Sequence, residues 1–257
     1  MEPLTAVLLA AAGFVGGTVN AVVGSGTLVV YPALIAAGLP PVTANGTNTT
    51  GLSWGSLSSA YGYRRELTGR MRILAVPLVA SFAAACLGAG LVLALPERVF
   101  VAVVPWLILA ATVLVAVQPL VVRRLRDRAA RLGDHSAPDG RGGPTLTVAV
   151  AGSGVYGGYF GAAQGVILMA VLGLLYDADL QRSNGAKNLL AASANIAAAL
   201  VFALAGRVWW LAAAIVAVGA IAGGLVGARV ARRLPPAVMR AAVVVVGLVA
   251  TVSLVVR

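Results

Sequence analysis

The sequence predicts an all-α integral membrane protein built as two inverted-topology repeats of about five helical segments each, with interrupted or re-entrant helices at the centre. Three observations predict it. The chain has 257 residues, 60% hydrophobic and 11% charged, with mean hydropathy +0.95; a soluble domain is nearer a quarter charged. The stretches 73–95, 99–122, 208–228 and 241–256 hold no Asp, Glu, Lys or Arg, and charge-free spans of about 20 residues match the hydrocarbon thickness of a bilayer. The charge-free run Leu4–Tyr63 is broken by Gly24, Gly26, Pro32 and Gly38-Leu39-Pro40-Pro41, and the second half is broken in the same way between Gly154 and Asn188. Irregular backbone at membrane depth is tolerated only where protein buries it or it lines a wet cavity.

Taken in order, Leu4–Val22 is the first apolar segment, with Gly13, Gly16 and Gly17 as small residues for close helix approach. Thr27–Ala37 is too short to cross, since a helix of that length rises only about 18 Å; it reads as a half-helix or re-entrant piece. Pro40-Pro41 turns the chain. Asn45–Tyr63 is rich in Gly, Ser and Ala, too weakly hydrophobic to face lipid, and is placed centrally. Arg64–Arg72 is a charged loop. Ile73–Leu95 and Val99–Val122 are ordinary spans joined at Pro96-Glu97-Arg98. Residues 1–122 form the first membrane repeat, 123–144 a cytoplasmic linker, and 145–257 the second repeat. In that repeat Thr145–Gly165 restarts the apolar pattern and Val166–Leu175 is the second short piece. Asp177, Asp179 and Arg182 mark a loop, Asn184–Leu204 and Val208–Ala228 are spans, Arg229–Arg240 is a basic turn, and Ala237–Val256 is the last span.

The halves repeat. Gly13–Gly17 answers Gly154–Gly158, Asn48 answers Asn188, Gly69-Arg70 answers Gly206-Arg207, and Leu95-Pro96 answers Leu234-Pro235, at an offset of about 140 residues. Charge orients them. Arg64–Arg72, Arg123–Arg131 and Arg229–Arg240 are basic and are expected in the cytoplasm, with Arg207 on the opposite side. The bias swaps between halves, as an inverted repeat requires.

Net charge is +11. The arginines sit in short loops and one linker, so they read as topology signals and lipid-headgroup contacts, not as a nucleic-acid surface. Cys86 is the only cysteine and His135 the only histidine. No metal site, cofactor or catalytic set is expected, and no enzyme. The oligomeric state is open, a homodimer being one arrangement.

Gly24–Leu34 with its Gly-Ser-Gly start, the Gly38-Leu39-Pro40-Pro41 turn, Ala44–Asn48, Tyr61–Arg65, and the second-half run Asn184-Gly185-Ala186-Lys187-Asn188 through Phe202 to Gly206-Arg207 resemble the TauE/SafE family of sulfite exporters. The resemblance covers nearly the whole chain. Members often carry Gly-Gly-Gly where this chain has Gly24-Ser25-Gly26. It implies a multi-pass permease of the inner membrane for small sulfur-containing or organic anions, such as sulfite or sulfoacetate-like sulfonates. Export of another metabolite or an amino acid is the alternative, and a membrane scaffold a further one.

Lys187 is the leading candidate for binding cargo. A lysine inside a membrane span costs about 2.5–3.5 kcal/mol on insertion scales, so such charges face a cavity and serve function. With the helix starting at Asn184, Lys187 falls in its first turn, where the dipole already favours an anion. The alternative is that its ammonium snorkels to the headgroups. Asn48 and Asn188 are either donors to an anion or interhelical glue. Ser25, Thr27, Thr47, Gln164 and Asn195 are candidates on the same ground. Trp54 is the aromatic expected to line a pocket, whereas Trp209-Trp210 reads as an interface anchor. Of the eight acidic residues only Asp177 and Asp179 flank an interrupted segment, and Arg182 is expected to pair with both. No buried carboxylate relay is expected, so transport would be uniport, or any proton would ride on the cargo.

Overall fold

Proline and glycine set most of the element boundaries. A computed structural model describes residues 1–131, 143–177, 179–232, 241, 244–249 and 251–252. Helices α1 (Pro3–Val22), α2 (Thr27–Ala36) and α3 (Pro41–Gly62) make a long–short–long unit, followed by the single turn α4 (Arg64–Leu67) and the spans α5 (Met71–Ala94) and α6 (Glu97–Arg131). The second half gives α7 (Pro144–Tyr159), α8 (Gln164–Leu175) and α9 (Leu180–Leu204), then α10 (Trp210–Val230). Residues 244–249 and 251–252 are also helical. Pro3, Pro41 and Pro144 each stand in the first turn of their helix, where a missing N–H is no loss. The fold is all-α, and five of the described helices are long and apolar enough to cross a membrane.

Four boundaries differ from the sequence reading by four residues or more. Helix α3 begins at Pro41, not Asn45, its first turn opened by that proline. Helix α9 begins at Leu180, not Asn184, because Asp179 caps it: its carboxylate accepts from the backbone N–H groups of Gln181 and Arg182. Helix α6 does not stop at Val122 but runs to Arg131, so the basic first half of the expected linker is helical. Helix α7 ends at Tyr159, six residues short of the expected Gly165. The rest of the linker, residues 132–142 with His135, lies outside the described residues, as do 233–240 of the basic turn and part of the last span.

Packing crosses between the halves. Helix α10, which follows α9, packs on α1 and α3; α5, which follows α3, packs on α7 and α9. Glycines make these contacts close. A Cβ on Gly13 or Gly17 would collide with the backbone of Val216 or Ala220, and one on Gly88 or Gly158 with the backbone of Val155 or Ala85. Close backbone approach through small residues is how helices associate where lipid supplies no hydrophobic drive. Helix α3 is the central element: it packs on α1, α2, α9 and α10, and most of its side chains are buried.

The break between α1 and α2 meets the break between α7 and α8. The carbonyl of Gly24 accepts from the N–H of Gly165 at 3.0 Å. Gly24 has φ +86° and its Cα side lies against the Gly165 backbone, so both its conformation and its lack of a side chain are required. Gly161, with φ +73°, turns the chain at the matching place in the second half.

Candidate functional site

Lys187 is fully buried, and its ammonium donates to the backbone carbonyls of Ala21 at 2.9 Å and Asn20 at 3.2 Å. These carbonyls belong to the last turn of α1, where no further helix turn follows to bond them. The C-terminal end of a helix carries partial negative charge, and a cation there gains about 0.3–1 kcal/mol, up to about 2 when partly buried. The lysine is therefore seated by the end of α1 and not by the start of its own helix: it lies seven residues beyond Leu180, about one turn deeper in α9 than expected. Nor does it reach for the headgroups, since the side chain points inward. Among the described residues no carboxylate lies within ion-pair distance of it; their ion pairs join Arg70 and Arg182 to Asp177, and Arg232 to Glu66.

The other candidates fall into groups. Asn188 donates to Ala21 O at 3.3 Å and to Asn184 O at 3.0 Å, beside Lys187 on the same end of α1. Asn195 donates to Ser56 Oγ at 3.1 Å, and Asn20 donates to the same oxygen at 2.9 Å, so α1, α3 and α9 are tied at one hydroxyl. Asn48 donates to Thr27 Oγ1 at 3.2 Å, joining α3 to the first residue of α2, next to Ser25. Asn48 and Asn188, matched by the repeat, thus hold different partners. Thr47 accepts from the N–H of Trp209 at 3.0 Å and so braces the start of α10. Gln164 opens α8 and donates to Ser153 O at 3.3 Å. Trp54 stands apart: it is 53% exposed, in an outward stripe with Leu57 and Tyr61.

Three asparagines of the site were not singled out from the sequence. Asn20 links the Lys187 carbonyls to Ser56. Asn45 donates to the carbonyl of Tyr159, the last residue of α7, at 2.9 Å. Asn184 donates to Tyr63 Oη at 2.7 Å. The signal for Asn20 was present, an amide within an otherwise apolar helix. The pattern they complete is reciprocal: α9 caps the end of α1 through Lys187 and Asn188, and α3 caps the end of α7 through Asn45.

Several polar atoms of this region lack a partner. Ser25 Oγ and Ser153 Oγ are buried without one, as are the side-chain oxygens of Asn45, Asn48, Asn184 and Asn188. Buried polar atoms are ordinarily bonded, so such a cluster marks a place for water or a ligand. A cation with no carboxylate in ion-pair distance among the described residues is suited to an oxyanion.

Beyond Asn184 and Tyr63 the end of the molecule is closed by ion pairs. Arg232 holds Glu66 at 2.7 Å and donates to Gly62 O at 3.0 Å. Arg70, in the first half, holds Asp177, in the second, at 3.1 Å, and Arg182 meets the same oxygen at 3.5 Å. Asp179 does not pair with the Arg182 guanidinium; it is spent on the cap of α9.

The profile of the family described as sulfite exporter TauE/SafE matches residues 9–254. A probable membrane transporter protein of Haemophilus influenzae is 26% identical over 249 residues, covering 96% of this chain and 93% of the relative. The probable membrane transporter protein YfcA of Escherichia coli K12 is 26% identical over 254 residues, 99% of this chain and 91% of its own. A probable membrane transporter protein ORF9 from Sinorhizobium is 28% identical, covering 95% and 89%. No solved structure matches the chain.

Proposed function

The chain belongs to the TauE/SafE family of multi-pass membrane transporters, and from that premise we propose that it is a secondary transporter of the inner membrane carrying a small sulfur-containing or organic anion, such as sulfite or a sulfonate. The observation that carries the reading is Lys187: one fully buried ammonium, with no carboxylate in reach among the described residues, at the meeting of α1, α3 and α9. A bound oxyanion supplies the missing counter-charge. The free hydroxyl of Ser25 supplies a neutral donor, which adds grip without adding charge. In this reading α2 and α8 re-enter instead of crossing, and the two halves are inverted about the Gly24–Gly165 contact.

One observation favours a second cargo class. The carboxamide oxygens of Asn45, Asn48 and Asn188 are buried without donors, and a cargo bearing N–H groups, such as an amino acid, would fill them.

Flux into liposomes holding the purified protein tests both readings, across sulfite, sulfonates, carboxylates and amino acids. Sulfonate or sulfite uptake is expected, and Lys187→Met is expected to weaken it at least about tenfold, as loss of a charge-assisted hydrogen bond does, while the variant still inserts. Full transport by Lys187→Met, or uptake of amino acids alone, would overturn the anion reading.

A further inference from the structure

The chain has 19 lysine and arginine side chains, and every one except Lys187 is an arginine. The single lysine is the fully buried one. The two residues differ in one property that matters here: a guanidinium keeps its proton in proteins, whereas an ammonium deprived of water and counter-charge can release it. The one core cation is thus the only one of these 19 able to become neutral.

The contacts of Lys187 fit both states. A neutral amine has two N–H donors and an ammonium three. Two backbone acceptors are in place, Asn20 O and Ala21 O. They satisfy the amine in full and leave one N–H of the ammonium for an anion.

Among the described residues, nothing packed against α9 competes for that proton. Along their lengths α1 and α8 have no ionisable side chain, and α3 has only Tyr61, which faces outward. Helix α7 brings Tyr156, whose hydroxyl donates to the Ala162 carbonyl, and Tyr159. Helix α5 brings Arg72 at its start and Cys86, which packs beside Ala194 and Ala197. The turn α4 brings Arg64, Arg65 and Glu66, the last of these held by Arg232. On α9 itself Arg182 is held by Asp177. Tyr63, bonded to Asn184, is the ionisable group one turn nearer the surface.

We propose that Lys187 carries the coupling proton of transport. The ammonium holds the anion and stays protonated while the loaded carrier changes the side it faces. When the anion leaves, the third Nζ–H bond breaks, its proton passes to water at the open mouth, and the neutral amine resets on Asn20 and Ala21. The amine takes up a proton again from water on the first side. One proton then accompanies each anion in the same direction, and a monoanion crosses without net charge. This rests on the anion-carrier reading above and departs from uniport, in which the membrane potential itself drives the anion.

The test uses methanesulfonate, a monoanion at every working pH, with the protein in liposomes. With the potential clamped at zero, an imposed pH difference is expected to accumulate it on the alkaline side, about tenfold for each pH unit. A potential imposed without a pH difference is expected to accumulate none. Lys187→Arg, whose guanidinium keeps its proton, is expected to lose accumulation by pH. Lysine labelled with 15N at Nζ gives one side-chain signal from this chain, a readout independent of the variant's folding. In the empty carrier it is expected to convert between ammonium and amine within the pH range of the flux assay, and added sulfonate is expected to hold it as ammonium. Accumulation driven by potential alone, full pH-driven accumulation by Lys187→Arg, or a signal that stays ammonium throughout would overturn the proposal while leaving the anion carrier standing. A wild type that moves no anion of the panel would remove both.

Discussion

At the scale of single residues, the site is held by amides converging on backbone and hydroxyl oxygens. Ser56 shows the logic. Its oxygen accepts from Asn20 and Asn195 and its own hydrogen goes to Leu52 O. Replacing Ser56 with Ala removes one acceptor and strands two amide groups. Interhelical hydrogen bonds in membranes average about 0.6 kcal/mol, and a stranded buried donor costs about 1–3 kcal/mol, so Ser56→Ala is expected to lose about 1–3 kcal/mol. Ser58→Ala, at a half-buried hydroxyl bonded to Gly55 O and Ile221 O whose loss strands no amide, is expected to lose about 0.6 kcal/mol or less. Thermal unfolding in detergent compares them, and equal midpoints would remove Ser56 as a junction. Lys187 was legible in the sequence because a charge in a span is conspicuous. Its true partner was not, because the end of α1 comes near it only through the fold. Asn20 and Asn184 were passed over since a lone amide in a membrane helix does as well for structure as for cargo. Trp54, expected from the sequence to line a pocket, stands on the one stripe of central α3 that faces outward.

At the scale of elements, the long–short–long order was readable because glycine and proline punctuate it. The start of α9 was not. Its first turn contains Arg182 and follows Asp177 and Asp179, and charge there reads as loop; a helix keeps such residues where its first turn stands at the polar end, capped by Asp179. The same holds for α6, whose basic last turns continue past the apolar span. The small residues that permit packing are distinct from those that merely fill a helix. Gly158 of α7 and Gly223 of α10 have a partner helix backbone where a Cβ would sit, those of Ala85 and Phe14; Gly90 of α5 and Gly152 of α7 have open space. Gly158→Ala and Gly223→Ala are each expected to force helices apart and to lower the yield of folded protein severalfold. Gly90→Ala and Gly152→Ala are expected to be neutral, or stabilising by up to about 1 kcal/mol from helix propensity. Size-exclusion profiles after a heating step separate the classes. A normal profile for Gly158→Ala would mean that the α5–α7 contact is looser than the structure has it.

At the scale of the molecule, α3 and α9 run antiparallel: Tyr63 meets Asn184, Ser56 meets Asn195, and Gly46 lies against Phe202. These are the helices that the sequence repeat matches to one another, and a matched pair running in opposite senses is what an inverted repeat needs. Charge follows the same axis. Arg207 stands by the start of α3, where Gly46 packs on its carbonyl, and Arg232 stands at the far end, bonded to Gly62 O beside the Arg64–Arg72 loop. About 24 Å of helix rise separates Gly46 from Gly62, most of a hydrocarbon core. The basic loops Arg64–Arg72 and Arg229–Arg240 are therefore expected to share the cytoplasmic side with Arg123–Arg131, and Arg207 to lie outside. In a Cys86→Ala background, single cysteines at Thr68, His135, Leu234 and Arg207 report the sides through a membrane-impermeant thiol reagent. In intact cells only the cysteine at 207 is expected to react, and in inside-out vesicles only the other three. Reaction of positions 68 and 207 from one side would contradict the inverted arrangement. It would also remove the physical reason for the swapped charge bias, because a parallel repeat would place like loops on like sides and leave Arg207 no cause to stand alone.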